Sequence, residues 1–264
     1  MPHAAVNGTN LYYHESGTGL PVVLVHGFPL DHRIWRKQVH DLAPVCRVIT
    51  PDLRGFGKSA GGGGFTIASL AEDLYLLLSQ IHALPCVMGG LSMGGYVALA
   101  YERQYAATLR GLMLIDTRAG ADSLEGRAGR NAMIEVARTQ GSAAIAEKML
   151  PKMVAGGNVD GTSEVVRELK EIMEACPVHT IEHALAAMRD RLDYQPTLSR
   201  IAAPTLIVAG EMDVLIPAGQ SEEMHKGIRG STISMIAGAG HIAPMEKAHE
   251  VSKAIRQFLV TLGS

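Results

Sequence analysis

Mostly apolar segments alternate with amphipathic segments along much of this chain. The run from position 21 to 25, Pro-Val-Val-Leu-Val, is apolar throughout, which is typical of a strand covered on both faces of a sheet. The other segments with strand character are residues 46–50, 86–88, 112–115, 204–209 and 231–235. Near the N-terminus, Asn7 and Gly8 lie between two short apolar segments, 5–6 and 11–13, and this pair predicts a hairpin turn.

Helical periodicity fills most of the intervals between these strands. Thr66 is a suitable N-cap, and the apolar residues behind it recur at helical spacing: Leu70, Leu74, Leu77, Leu78 and Ile81. Further helices are expected over residues 31–42, through 97–100 and over 245–262. The alternation of strands and helices favours an α/β fold with a mostly parallel central sheet flanked by helices.

One long segment departs from this alternation. Residues 119–200 carry no strand signal and are typical of several short amphipathic helices, interrupted at Gly156-Gly157 and at Pro177. We therefore expect an α/β core formed by residues 1–118 and 201–264, with residues 119–200 inserted as a helical cap, or lid.

The composition of the chain argues against nucleic acids and membranes as binding partners and indicates a cellular location. The 264 residues carry a formal net charge of −2, so the chain has no broad basic character for nucleic acid or anionic membranes. No apolar run approaches the roughly 20 residues of a membrane helix, and the polar N-terminus lacks the core of a signal peptide. The odd number of cysteines (Cys46, Cys86, Cys176) indicates small buried side chains in a reducing compartment, so a cytoplasmic location is expected.

The segment Gly90-Leu91-Ser92-Met93-Gly94 carries the clearest chemical signal. It follows a strand-like segment and leads into an apolar, helix-like one. A serine in the pattern G-x-S-x-G is held on a strained strand-to-helix turn that lifts its hydroxyl clear of the backbone. A side chain at either flanking glycine would collide with the neighbouring strand or helix. Ser92 is the candidate nucleophile.

A base and an acid follow in suitable positions. Asp213 comes directly after the strand-like segment 204–209, and His241 comes after the next one. In parallel sheets functional residues gather at the carboxyl ends of strands, and the chain order Ser, Asp, His is the one expected for this architecture. Asp116, at the end of an earlier strand, is the rival acid.

Two nearer competitors are given lesser roles. Glu211 is interpreted as a surface carboxylate or one that braces the loop. His249 falls within the last predicted helix and should face solvent.

Five segments, in order and at suitable spacings, resemble an α/β-hydrolase fold enzyme over essentially the whole chain. They are residues 26–29 (His-Gly-Phe-Pro), 52–59 (Asp-Leu-Arg-Gly-Phe-Gly-Lys-Ser), 90–94, 210–213 (Gly-Glu-Met-Asp) and 240–241 (Gly-His). The resemblance implies that the backbone N–H groups of Phe28 and Met93 form the oxyanion hole. Pro29 has no N–H and cannot serve as that donor. His26 is expected to brace this loop, and Asp52 and Arg54 to pin another through a charged hydrogen bond.

The resemblance further implies a serine hydrolase that cleaves small-molecule carboxylic esters of small to medium acyl chains through an acyl-enzyme, with no cofactor or metal. Trp35 and Met212 are expected in the substrate pocket. The residues around Phe28 and Ser92 also resemble cofactor-free haloperoxidases, or perhydrolases, and enol-lactone hydrolases. A slow-turnover ligand receptor on the same fold is the alternative from another class.

Three other motif matches are interpreted as coincidental. His179-Thr180-Ile181-Glu182-His183 fits a zinc-protease pattern without a third ligand, and it falls in the expected cap. Residues 57–59 lack the leading glycine of a phosphate-binding loop, and residues 55–60 lack the helix that a dinucleotide site requires.

Overall fold

The computed structural model describes residues 2–61, 63–157 and 163–263, and its centre is a single eight-stranded sheet. The strands are β1 (His3–Val6), β2 (Thr9–Ser16), β3 (Pro21–Val25), β4 (Arg47–Pro51), β5 (Cys86–Leu91), β6 (Leu109–Ile115), β7 (Thr205–Gly210) and β8 (Thr232–Ile236). Their order across the sheet is β1-β2-β4-β3-β5-β6-β7-β8. Only β1 and β2 pair antiparallel to their neighbours, so the predicted mostly parallel sheet is confirmed.

Helices cover both faces of this sheet. The α-helices of the described residues are α1 (Arg36–Leu42), α2 (Ile67–Gln80), α3 (Met93–Tyr105), α4 (Leu124–Met153), α5 (Glu164–Ala175), α6 (Val178–Arg189), α7 (Ala218–Gly227), α8 (Ala243–Glu246) and α9 (Ala248–Thr261). Successive side chains of a strand point to opposite faces. In β3, Val23 and Val25 therefore join the apolar cluster beneath α2 and α3, while Val22 and Leu24 join the one beneath α1 and α9.

The segment between β6 and β7 is a helical insertion. Its longest helix, α4, packs against both α5 and α6. The expectation of several short helices agrees with this segment, because α4 (Leu124–Met153) consists of two helices that meet at Gly141, whose φ of 81° lies outside the helical region, and α5 and α6 follow it. Pro177 caps the start of α6, as its missing N–H permits.

Two predicted helices begin differently from the expectation. Residues His32–Trp35 form a 3-10 turn before α1, so the first helix is shorter than 31–42. The last helix is interrupted at Lys247, whose φ of −129° and ψ of 51° separate α8 from α9. The spacing of apolar residues in a 3-10 turn or at a short helix break is close to that of a continuous α-helix. The sequence pattern therefore did not reveal these breaks.

Within the described residues, no helix combines the length and the apolar character that crossing a membrane requires. The prediction of buried, unpaired cysteines is confirmed at all three positions. Burial raises the pKa of the Cys86 thiol to about 12, which keeps it in its unreactive, protonated form.

Candidate active site

Ser92 stands at the turn between β5 and α3. Its φ of 54° and ψ of −114° lie in a region that side chains rarely occupy, so the backbone is strained as the motif predicts. Ser92 N–H donates to the Ile115 carbonyl at the end of β6 (2.9 Å), and the Ser92 carbonyl accepts from Gly95 N–H (2.9 Å). These bonds fix the turn between the neighbouring strand and the first turn of the helix.

The two flanking glycines are required by close backbone approach. A Cβ at Gly90 would collide with the Gly94 carbonyl, and a Cβ at Gly94 would collide with the Val25 and His26 carbonyls. The prediction made for both glycines is confirmed. Their lack of a side chain allows the start of α3 to lie close to the adjacent strands.

Replacement of Gly94 by alanine is expected to lower the free energy of unfolding by about 2 to 3 kcal/mol, because backbone atoms must shift to admit the methyl group. The matched control is Gly129→Ala, at an exposed site on α4 with no atom within 4 Å of the new Cβ. That change should raise stability by about 0.5 to 1 kcal/mol through helix propensity. Urea unfolding measures both, and equal effects would contradict the assigned collision.

The candidate acid and base form a buried pair. His241 Nδ1 and Asp213 Oδ2 are 2.8 Å apart, and their side chains are 4% and 0% exposed. The other carboxylate oxygen, Oδ1, accepts from the Leu215 and Ile216 N–H groups (2.8 and 2.9 Å). Because the carboxylate accepts at both oxygens, Nδ1 carries the proton and Nε2 is left with a free lone pair. The imidazole is thereby held as the tautomer that a general base needs.

Asp116, the rival acid, forms no hydrogen bond with His241 among the described residues and bonds the backbone of β7 instead. Its Oδ1 accepts from Gly210 N–H (2.6 Å), and its side chain is buried. Burial first, and the nearby Asp213 carboxylate second, raise the pKa of Asp116 well above its ordinary value. Through its bond to Gly210, Asp116 holds the end of β7.

The two lesser candidates lie apart from this pair. Glu211 accepts from Gly238 N–H at the surface (3.1 Å) and braces the loop that leads to His241. His249 is exposed on α9, as its helical position predicts.

The loop before the first 3-10 turn presses against the elbow. A Cβ on Gly27 would lie 3.3 Å from Ser92 Cβ, so this loop and the candidate nucleophile are adjacent. His26 braces the loop: Leu53 N–H donates to Nε2 (3.0 Å), so Nδ1 carries the proton and donates to the Gly27 carbonyl (2.8 Å). Burial lowers the pKa of His26 below its ordinary value, which keeps the ring neutral.

A sequence model of the alpha/beta hydrolase family matches residues 22–254. The chain belongs to the alpha/beta hydrolase family.

This chain is similar to two solved structures and to one further relative by sequence. A thermophilic esterase from Thermogutta terrifontis, with malate bound, has a TM-score of 0.94 at 38% identity, over 99% of this chain and 97% of that one. An enol-lactonase from Burkholderia xenovorans has a TM-score of 0.91 at 28% identity, over 98% and 100% of the two chains. A putative non-heme chloroperoxidase from Synechocystis is 28% identical over 98% of this chain and 100% of its own. These are the kinds of relative that the motifs predicted.

The structure of this hydrolase also shows contacts that the sequence analysis missed. Thr117 Oγ1 donates to the Ser92 carbonyl (2.8 Å), and the bond ties the end of β6 to the elbow. The glycine at 95 is needed because a Cβ there would collide with Thr117. The run Gly94-Gly95 was the available signal, since only one of the two glycines belongs to the motif.

Asp52 and Arg54, which were expected to pin a loop through a charged hydrogen bond, have separate partners. Asp52 Oδ1 accepts from His32 N–H (2.7 Å) and Oδ2 accepts from Lys58 N–H (2.8 Å), so Asp52 does pin the loop that follows it. Arg54 instead pairs with Asp73 of α2, at 2.7 Å. That partner is distant in sequence, and local spacing gave no sign of it.

The two pocket residues have different surroundings. Trp35 is fully buried in the apolar cluster that contains Leu30 and Ile34, and its indole Nε1 has no hydrogen-bond partner. Met212 is 45% exposed, and its N–H donates to the Ala239 carbonyl (2.8 Å). Their part in substrate binding stays a prediction.

The H-x-x-E-H segment forms the start of α6. The rings of His179 and His183 are 6.3 Å apart, and His179 is exposed. Glu182, between them in sequence, pairs with Arg138 of α4 at 3.0 Å. The segment therefore joins two helices of the insertion.

Proposed function

We propose that this alpha/beta hydrolase is a carboxylesterase that cleaves esters of small to medium acyl chains through an acyl-enzyme intermediate. The observation that carries the proposal is the buried His241–Asp213 pair, at 2.8 Å, on the same sheet edge as the strained Ser92 turn. The similarity to the Thermogutta terrifontis esterase, over 99% of this chain, supports the same activity.

In the acylation step, His241 Nε2 takes the proton of Ser92 Oγ, which attacks the ester carbonyl. Negative charge then develops on the carbonyl oxygen. The N–H groups of Phe28 and Met93 are proposed to receive it, and the packing of the Gly27 loop against Ser92 brings Phe28 near. Collapse of the intermediate breaks the bond to the alcohol, which leaves with the proton from His241.

Deacylation repeats these steps with water. His241 removes a proton from a water molecule, which attacks the acyl carbon on Ser92. The bond between that carbon and Ser92 Oγ then breaks, His241 returns the proton to Oγ, and the acid is released. Asp213 holds the imidazole tautomer throughout and stabilises the positive charge that the ring acquires. The Leu215 and Ile216 N–H groups keep this carboxylate oriented.

The helical insertion is proposed to act as the lid that limits acyl length. Its helices contribute apolar residues to both clusters of the core, Ile181 and Leu185 to one and Leu169 and Ile172 to the other. These contacts support the proposal that the insertion lies across the sheet edge at which Ser92 and His241 lie.

Lactone hydrolysis or perhydrolysis is the second candidate function. It is favoured by the enol-lactonase and chloroperoxidase relatives and by Pro29, which follows the proposed donor Phe28. A lactone is a cyclic ester, so the same residues would act on it. Hydrogen peroxide in place of water would give a peracid from the same acyl-enzyme.

Steady-state hydrolysis of p-nitrophenyl esters, from acetate to decanoate, tests the proposal with Ser92→Ala as the control. We expect many turnovers per protein molecule for the shorter esters, with rates that fall as the acyl chain lengthens. A lactone, and acetate with peroxide, are measured in parallel to rank the second candidate. A single product equivalent per molecule across the whole series would contradict an esterase and indicate a receptor.

A further inference from the structure

Glu246, at the end of the short helix α8, joins two parts of the molecule. Its Oε2 accepts a hydrogen bond from Gly240 N–H (2.7 Å), and Gly240 directly precedes His241. Its Oε1 accepts from Ala155 N–H (2.8 Å), just beyond the end of α4 in the helical insertion. One carboxylate therefore bonds both the turn that carries the candidate base and the end of the insertion's longest helix.

Other contacts reinforce the same junction. Ile242 N–H, on the other side of His241, donates to the Met153 carbonyl at the end of α4 (3.2 Å). A Cβ on Gly240 would lie 2.6 Å from Ala155 N and 2.8 Å from the Met153 carbonyl oxygen, so this approach requires glycine. The residues before and after His241 are thus both held against the same short segment.

We propose that Glu246 is a positioning residue, whose carboxylate fixes the His241 turn against the end of α4 and so sets the imidazole relative to Ser92. The inference rests on the proposed function of Ser92 and His241 as nucleophile and base. The hydrogen bond to Asp213 fixes the tautomer of His241. The position of the imidazole relative to Ser92 depends in addition on the backbone at 240–242, to which Asp213 makes no hydrogen bond in the described part of the chain. Misplacement of a reacting group by about 1 Å costs roughly 10²-fold in rate.

A carboxylate suits this position because two N–H donors face it. Both bonds are charge-assisted and short, and the two oxygens accept one bond each. Glutamine has one acceptor oxygen, and its NH₂ group would face the second N–H donor. It can therefore accept only one of the two hydrogen bonds. Alanine leaves both donors without a partner.

The outward side of Glu246 faces a charged groove, which supplies a matched control. The other charged or titratable groups that line it are Arg36, Lys37, His40, Asp41, Lys247, His249 and Glu250. On the inward side, the Glu246 charge contributes to the raised pKa of Asp116. Glu250 is exposed, so Glu250→Gln removes a charge from the same groove without touching the junction.

The experiment compares Glu246→Ala, Glu246→Gln and Glu250→Gln with the unmodified protein. For each, kcat and KM are measured with p-nitrophenyl acetate, and Ser92 is labelled with a fluorophosphonate. In that labelling the Oγ–P bond forms, the P–F bond breaks with loss of fluoride, and the serine proton passes to His241. Thermal unfolding is recorded in parallel.

We expect Glu246→Ala to lower kcat and the labelling rate together, by about 10- to 100-fold, with KM changed by less than about threefold. Glu246→Gln should fall between Ala and the unmodified protein, and Glu250→Gln should match the latter. If Glu246→Ala does not fold, the comparison of the two glutamine variants decides.

Two results would overturn the inference. A lower unfolding temperature with unchanged kcat and labelling would make Glu246 merely structural, and a rise in KM alone would restrict it to seating the insertion. Failure of the proposed esterase function is distinct from either. In that case the unmodified protein turns over no ester, while its labelling still reports whether Glu246 positions His241.

Discussion

Ser92→Ala is expected to lower kcat for p-nitrophenyl acetate by at least about 10⁴-fold while leaving the fold intact. The hydroxyl is the group proposed to bond the acyl carbon, and removal of a triad nucleophile leaves only binding and oxyanion stabilisation. Alanine retains the Cβ of Ser92, so circular dichroism and the unfolding temperature should change little. Residual turnover within about tenfold of the unmodified protein would remove Ser92 from the mechanism.

A second substitution at the same position tests whether the turn is strained. Ser92 has a φ of 54°, and glycine adopts such angles without steric cost. Ser92→Gly should be as inactive as Ser92→Ala and more stable than it by about 1 kcal/mol in urea unfolding. Equal stability of the two variants would mean that the elbow stores no strain at this residue.

The layout of the fold was predictable because the strands are buried on both faces. Segments such as β3 and β6 are apolar without interruption, and this pattern needs no knowledge of tertiary contacts. The helix breaks were not predictable, since the break at Lys247 has neither glycine nor proline at it. The kink of α4 at Gly141 does fall on a glycine, but an isolated glycine is tolerated in many helices.

The candidate site divides in the same way. Ser92, Asp213 and His241 could be assigned to one edge of the sheet because each lies in the connection that follows a strand, and parallel strands bring such positions to one edge. Contacts made by Thr117 with the elbow and by Glu246 with Gly240 were not. These contacts depend on how closely two backbone segments approach each other. In a single sequence the only sign of such an approach is a glycine, and the sequence does not show which segment that glycine contacts.

Asp213→Asn is expected to lower kcat by about 10³- to 10⁴-fold, whereas Asp116→Asn should change it by less than about threefold. Asparagine at 213 can present its NH₂ group to His241 Nδ1, which favours the wrong tautomer. In the part of the chain that the structure describes, Asp116 forms no hydrogen bond with the imidazole, and it accepts from Gly210 N–H, as an asparagine oxygen can. Measured kcat values for the two variants decide between the acids, and a larger loss at 116 would exchange their roles.

Asp116→Asn should also change how stability depends on pH. The pKa of Asp116 is raised above its ordinary value of 3.8 by burial and by Asp213, so the folded state retains a proton that the unfolded chain releases. The stability that this group contributes is complete below pH 3.8 and is lost as the pH rises toward the folded-state pKa, by up to about 1.4 kcal/mol per pH unit. Asparagine has no proton to release. The variant should therefore gain stability relative to the unmodified protein as the pH rises above 3.8, measured by urea unfolding, and parallel pH profiles would show that Asp116 is ionised in the folded protein.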